Sequence, residues 1–302
     1  MPLIPPRARI FLGATLISFS PVWVALVDVA PTASAFYRML IGGIALTVFI
    51  AATGRSFRFN RVAFVAIVAA AVFFALDLWF WHRSVLYVGP GLSTLLANFQ
   101  VFAMTAVGII FLGQRASVWQ LIAIPVAIVG LALVVGVDWS VLSPEYRLGV
   151  LFGLATAASY TGYLLSLRRA QAESGHVLPR AEIAVMSLVC AAVLGAMVLA
   201  EGESFAVPSA ADAGWLVCYG VLSHVLGWLL IAGSLSRVST AVVGISLLLQ
   251  PLLSYVWEIL LFGRVVSATE MTGAAIALAA IFMGSRPRLQ SKGEPPQPAG
   301  GG

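Results

Sequence analysis

Two carboxylates, Asp77 and Glu258, lie inside long apolar stretches of this chain. A charge near the centre of a bilayer costs about 2.5 to 3.5 kcal/mol even on a lenient insertion scale, so acids retained there are functional candidates. Asp77 shares a face, at helical spacing, with Phe73, Phe80, Trp81 and Ser84. Glu258 follows Ser254 by four residues and adjoins Trp257. Loss of solvation disfavours the charged form of a carboxyl, so either acid could carry the proton that drives antiport. The alternative is structural. Arg38 and Arg83 lie at a depth suited to an ion pair with Asp77, and Glu258 is close enough to the outer surface to snorkel to water.

Ser246, Gln250, Ser254 and Trp257 follow one another at spacings of four, four and three, which sets them on one helix face. A polar stripe in a lipid-embedded helix faces a cavity or a neighbouring helix. Gln250 falls near mid-membrane, and so does Gln100. Two amides there either hold a substrate or hydrogen-bond between helices, a contact worth about 0.6 kcal/mol. Asn98 is two residues from Gln100, roughly 200° away on a regular helix, and is expected to face elsewhere with Thr94 and Thr105. Trp23, Trp79, Trp81, Tyr160, Tyr163 and Trp228 could wall an amphipathic pocket. Trp23 and Tyr163 are the preferred wall residues, and Tyr163 shares a face with Thr156, Ser159 and Ser166. Trp81, Trp119, Trp139 and Trp215 also suit a membrane interface. His224, deep in an apolar run, either relays protons or contacts substrate, or else packs as a satisfied core histidine. His82 is expected at an outer helix end and His176 in a loop.

The elements that must position these groups are apolar helices. The 302 residues are 61% hydrophobic and 10% charged, with a mean hydropathy of +1.00, where a soluble domain is about 25% charged. Apolar runs of about twenty residues match a hydrocarbon core of roughly 30 Å. The chain is therefore expected to be all-α and polytopic, with helices near 8 to 27, 33 to 53, 62 to 82, 91 to 112, 117 to 137, 148 to 168, 180 to 200, 213 to 233, 240 to 262 and 268 to 285. The first run is too long for a signal peptide, and the tail 286–302, with its prolines and closing glycines, is expected to be disordered.

The net charge of +5 does not point to nucleic acid, because the basic residues sit in short gaps and form no stripe. They report topology. With both termini cytoplasmic, the inner segments hold 13 of the 17 basic residues, including Arg55, Arg58, Arg286, Arg288 and Lys292; only Arg38, Arg83, Arg147 and Arg264 fall outside. Cys190 and Cys218 lack metal-ligand spacing. No phosphate loop, nucleophile elbow or paired-histidine motif occurs, so neither an enzyme, a cofactor nor ATP-driven transport is expected.

An internal repeat constrains mechanism as well as fold. Ile109-Ile110-Phe111-Leu112-Gly113 with Ser117 corresponds, 150 residues on, to Ile259-Leu260-Leu261-Phe262-Gly263 with Ser267; Gln100 then matches Gln250, and Ser84 matches Ser234. A second correspondence, at 140 residues, pairs Gly13 with Gly153 and Trp23 with Tyr163. Two five-helix halves, 1–142 and 143–285, follow. Because five is odd, the second half enters the membrane with opposite orientation, an inverted repeat with its pseudo-two-fold axis in the membrane plane.

The segments Phe111-Leu112-Gly113-Gln114-Arg115-Ala116-Ser117 and Leu261-Phe262-Gly263-Arg264-Val265-Val266-Ser267, together with Phe36-Tyr37-Arg38 and Leu249-Gln250-Pro251, resemble the EamA-type transporters of the drug/metabolite transporter superfamily. The resemblance covers residues 8 to 285. It implies a ten-helix inverted-repeat carrier of the bacterial inner membrane, monomeric or homodimeric, commonly an exporter of amino acids or amino-acid-derived zwitterions such as opine-type metallophores. Its partners would be a small-molecule substrate, the lipid bilayer and a coupling proton. The family usually has a glutamate where this chain has Gln114 and Arg264, which removes any role inherited from that carboxylate. An importer of an aromatic, cofactor-like molecule such as a flavin is the nearest rival. A membrane-embedded lipid-modifying enzyme would need a cluster of acids and histidines at one interface, and the acids here are scattered.

Overall fold

A computed structural model describes residues 4–52, 59–136, 139–174, 180–234 and 237–285. Arg55, Arg58, His176, Arg286, Arg288, Lys292 and the tail 286–302 lie outside the described residues. Within them the chain forms ten long helices and no strand. They are α1 (Pro6–Leu26), α2 (Pro31–Ala52), α3 (Arg61–Val88), α4 (Pro90–Ala97 and Gln100–Leu112) and α5 (Val118–Val135), then α6 (Pro144–Ser174), α7 (Arg180–Glu201), α8 (Ala210–Ala232), α9 (Thr240–Phe262) and α10 (Ala268–Gly284). The first nine are long and apolar enough to cross a membrane, and α10 is a shorter apolar helix of 17 residues.

The repeated glycine and serine are helix punctuation. Gly113 ends α4 in the left-handed region at φ 61°, and Gly263 ends α9 at φ 64°. This conformation disfavours a Cβ and is the usual helix stop. Ser117 then caps α5, accepting from the Gln120 N–H at 3.2 Å while Gln120 reaches back to the Ser117 N–H. Ser267 caps α10 through the Glu270 N–H at 3.1 Å. Each half thus makes the same tight reversal between its fourth and fifth helices.

Two helices overrun their expected bounds. α3 continues to Val88 and stops at Gly89, φ 88° and followed by proline, so Arg83 lies within a helix. Its charge is tolerated there because Glu201 and Glu203 neutralise it. α6 starts at Pro144 and runs to Ser174.

Packing follows the repeat. α3 lies along α6 and α7, and α8, its counterpart, lies along α1 and α2; α4 contacts α6 as α9 contacts α1. The pairs α2 with α7, α4 with α9, and α5 with α10 each join a helix to its own counterpart. Exchanging each helix with the one five later maps these contacts onto one another, as a two-fold relation between the halves requires, although α3 also packs on α1, α2 and α4 more extensively than α8 does on α6, α7 and α9. Close approach depends on small residues. A Cβ on Gly13 of α1 would sit 2.7 Å from the Gly227 carbonyl of α8, and one on Gly130 of α5 would sit 2.6 Å from the Ala277 nitrogen of α10.

The surface inverts the soluble pattern. Val48, Phe111, Leu199 and Leu260 are exposed, whereas Thr32, Arg38, Asp77, His82 and Glu258 are buried. The interior packs Met39, Leu78, Met186 and Leu194 between α2, α3 and α7.

Candidate functional site

Among the helices that lose their regularity partway along their length are α1, α4 and α9. α1 breaks at Phe19, between Ser18 and the Ser20-Pro21 pair that starts its second segment. α4 breaks at Asn98 and Phe99. α9 contains Pro251, which has no N–H and so leaves the Leu247 carbonyl without its helical donor. Irregular backbone at membrane depth is tolerated only where it is buried in protein or lines a cavity. Ser20, Asn98, Gln100, Leu247 and Gln250 all line one cavity of about 200 Å³.

This corrects the expectation that Asn98 and Gln100 face opposite ways. Both line the same wall. The 200° separation assumes an unbroken helix, and the break between these residues resets the phase. Asn98 Nδ2 donates to the Thr94 carbonyl at 2.8 Å, one of the backbone acceptors at the break.

The wall carries one charge of each sign. Arg38 of α2 and Asp77 of α3 both border the cavity, 6% and 5% exposed respectively. Among the described residues they form no ion pair, and the Asp77 carboxylate accepts no hydrogen bond. Arg38 Nη1 donates to the Tyr219 hydroxyl at 2.9 Å, and the guanidinium carbon lies 4.7 Å from the Tyr219 ring centroid and 5.9 Å from that of Phe74. Tyr219 in turn meets His82 Nε2 at 3.3 Å, and His82 Nδ1 lies 2.7 Å from the Leu78 carbonyl. Arg38 Nε, Ser20 Oγ and Gln100 Oε1 are buried with no partner among the described residues. Trp81, Tyr160 and Trp228 add aromatic surface.

The cavity reaches Gly244 and Ser285, at the end of the bundle where α9 begins and α10 finishes. Towards the other end stands a buried cluster of Val24, Trp81, Val85 and Tyr219, with Trp23 packed on it.

The remaining candidates lie off this wall. Trp23 stacks between Phe19 and Trp215, both 5.6 Å between centroids, and its indole donates to Ser223 at 3.1 Å. Tyr163 packs on Phe74 at 4.5 Å inside the core. Ser254 Oγ bonds the Ser18 and Gln250 carbonyls, Ser246 Oγ bonds the Val243 carbonyl, and the Trp257 indole donates to Ser18 Oγ at 2.9 Å. The polar face of α9 is thus divided, Gln250 meeting the cavity and Ser254 and Trp257 fastening α9 to the break in α1. His224 lies in a π-helical stretch of α8, Tyr219–Gly227, with Nε2 2.9 Å from Ser187 Oγ. Trp79 donates to Glu201 at 2.6 Å and stacks under Arg83 at 4.0 Å.

Glu258 is engaged on both oxygens. Oε1 meets Arg264 at 3.0 Å and Oε2 accepts the Gly91 N–H at 2.8 Å, which ties α9 to the start of α4. Arg264 also pairs with Glu270 at 2.8 Å. Partial burial opposes the Arg264 charge, but the two carboxylates outweigh it and hold the guanidinium above its ordinary range.

Among the polar wall residues that escaped the sequence reading as site candidates are Ser20, Thr94 and Asn98. The Ser-Pro pair within an apolar run was the signal for the first, since proline inside a helix marks a break. Among the described residues no group of three His, Cys, Asp or Glu side chains could hold a metal.

The sequence matches a family model described as EamA-like transporter family over residues 9–136 and again over 147–286. A search of curated proteins finds no match. A solved crystal structure superposes with a TM-score of 0.65, at 17% identity, covering 92% of this chain and 95% of that one. At that identity the likeness speaks for the fold alone.

Proposed function

Since the chain belongs to the EamA-like transporter family, we propose that this multi-pass membrane transporter exports a small amino-acid-related metabolite by alternating access. The observation that carries this reading is the cavity bordered by Gln100 and Gln250, equivalent residues of the two repeats, together with the unpaired Asp77 and Arg38. Carriers built from inverted repeats hold substrate near the midplane at the repeat interface.

The cavity volume, about 200 Å³, is below the roughly 300 to 1,000 Å³ of sites for drug-sized ligands. That favours a molecule of amino-acid size over a large conjugate or a flavin. With 13 of 17 basic residues on one side, the termini are assigned to the cytoplasm of a bacterial inner membrane. The cavity then reaches the cytoplasmic end, as it must to load cargo for export. Asp77 is the coupling acid, because Glu258 already has a partner on each oxygen. The functional halves meet between residues 142 and 143, and each monomer carries one complete site, alone or within a homodimer.

Counterflow in proteoliposomes tests this, with an amino-acid pool in one arm and riboflavin in the other. Transport of pool members that falls in Gln100→Ala and Gln250→Ala supports the reading. Riboflavin counterflow alone, or variants that leave all transport unchanged, overturns it.

A further inference from the structure

We propose that Arg38 and Asp77 recognise the two ends of a zwitterion, Arg38 taking the carboxylate and Asp77 the ammonium, so that substrates need both charges. This rests on the carrier reading above and assigns the recognition within that same site.

The Arg38 guanidinium is only partly engaged. One nitrogen, Nη1, is committed to the Tyr219 hydroxyl at 2.9 Å. The His82 ring keeps Tyr219 in place: a carbonyl can only accept, so Nδ1, 2.7 Å from the Leu78 carbonyl, carries the proton of the neutral ring. Nε2 then accepts from Tyr219 at 3.3 Å, and the tyrosine oxygen is left to accept from Arg38. The rings of Phe74 and Tyr219 fix the plane of the cation. What remains is the edge formed by Nε and Nη2. Among the described residues Nε is buried without a partner, and Nη2 makes no hydrogen bond. Those two parallel N–H groups are the fork that takes a carboxylate side-on with both its oxygens.

Asp77 supplies the opposite pole. Its carboxylate borders the same cavity, more than nine-tenths buried, without a hydrogen bond or an ion pair among the described residues. Two unlike charges in one low-dielectric space are each costly when bare. A ligand with one charge satisfies one of them and leaves the other exposed to that cost. A ligand with both satisfies the pair at once and adds no net charge to the interior. Ser20 Oγ and Gln100 Oε1, also buried and unpartnered, offer a neutral donor and a neutral acceptor on the same wall.

The test uses the full-length protein in proteoliposomes. Counterflow with the twenty proteinogenic amino acids identifies the best-transported member. That amino acid, its methyl ester, which lacks the carboxylate, and its N-acetyl derivative, which lacks the ammonium, then compete for transport. In the wild-type protein both analogues should compete at least tenfold more weakly than the parent. Arg38→Gln should compress the difference between parent and ester, and Asp77→Asn the difference between parent and N-acetyl derivative. Equal competition by either analogue in the wild-type protein overturns the assignment while leaving the carrier reading intact, and that arm needs no folded variant. Variants that transport and keep full discrimination also overturn it. If the wild-type protein moves no amino acid at all, the carrier reading fails first and this assignment falls with it.

Discussion

Arg264 donates to Glu258 at 3.0 Å in the second repeat, and at the equivalent place in the first repeat Gln114 folds over Gly108, where an added Cβ would meet its Oε1 at 2.7 Å. The two pairs stand 150 residues apart and close the same turn, one with charges and one with an amide. Only the charged version reaches across to α4, through the Gly91 N–H at 2.8 Å. The two ends of a pseudo-symmetric carrier are therefore fastened unequally, and the end opposite Ser285 carries the stronger clasp.

Arg264→Gln should loosen that clasp. It removes both ion pairs while leaving the Gly91 bond, and a lost charge-assisted contact at a partly buried site is worth about 1 to 3 kcal/mol. A lowered Tm in detergent and faster exchange in counterflow are expected. Gln114→Ala, at the uncharged counterpart, should change Tm by much less.

Tyr219→Phe keeps the ring under Arg38 but deletes the hydroxyl that joins Arg38 to His82. Tyr219 is a positioning residue, acting through Arg38. The half-saturating substrate concentration should rise about tenfold, equivalent to about 1.4 kcal/mol, with little change in maximal rate. A purely structural tyrosine would lower Tm and leave that split between the two parameters untouched.

Asp77→Asn should separate substrate movement from proton movement. Wild-type vesicles are expected to show substrate-driven acidification or alkalinisation with a trapped pH dye. The variant should lose that signal while retaining residual counterflow. A persisting pH signal would place the coupling group elsewhere.

Pro251→Ala restores an N–H to α9 and gives the Leu247 carbonyl its helical donor. A more regular helix should raise Tm, and turnover should slow severalfold as α9 stiffens next to Gln250. Unchanged turnover in stopped-flow or tracer assays would show that the irregularity does not participate in the cycle.

Much of this architecture is legible in the residue string, because hydrophobicity and its interruptions act locally. Runs of about twenty apolar residues can be satisfied only as spanning helices, and glycine followed by serine four residues later ends one helix and caps the next, as at Gly113 and Ser117. Gln100 and Gln250 are recognisable as mates from spacing alone and do border one cavity. What a side chain faces is not local. The break at Asn98 shifts the helical phase, so residues expected on opposite sides share a wall. Trp23 and Tyr163, matched in sequence, spend their rings on Trp215 and Phe74. Arg83 finds Glu201, 118 residues away, and so leaves Asp77 without it. Composition and period determine which segments cross the membrane. Which buried charges are neutralised, and which stay open to a ligand, is decided by the neighbours that folding places beside them: Glu201 reaches Arg83 from the other half of the chain, whereas Glu258 takes Arg264 from six residues on.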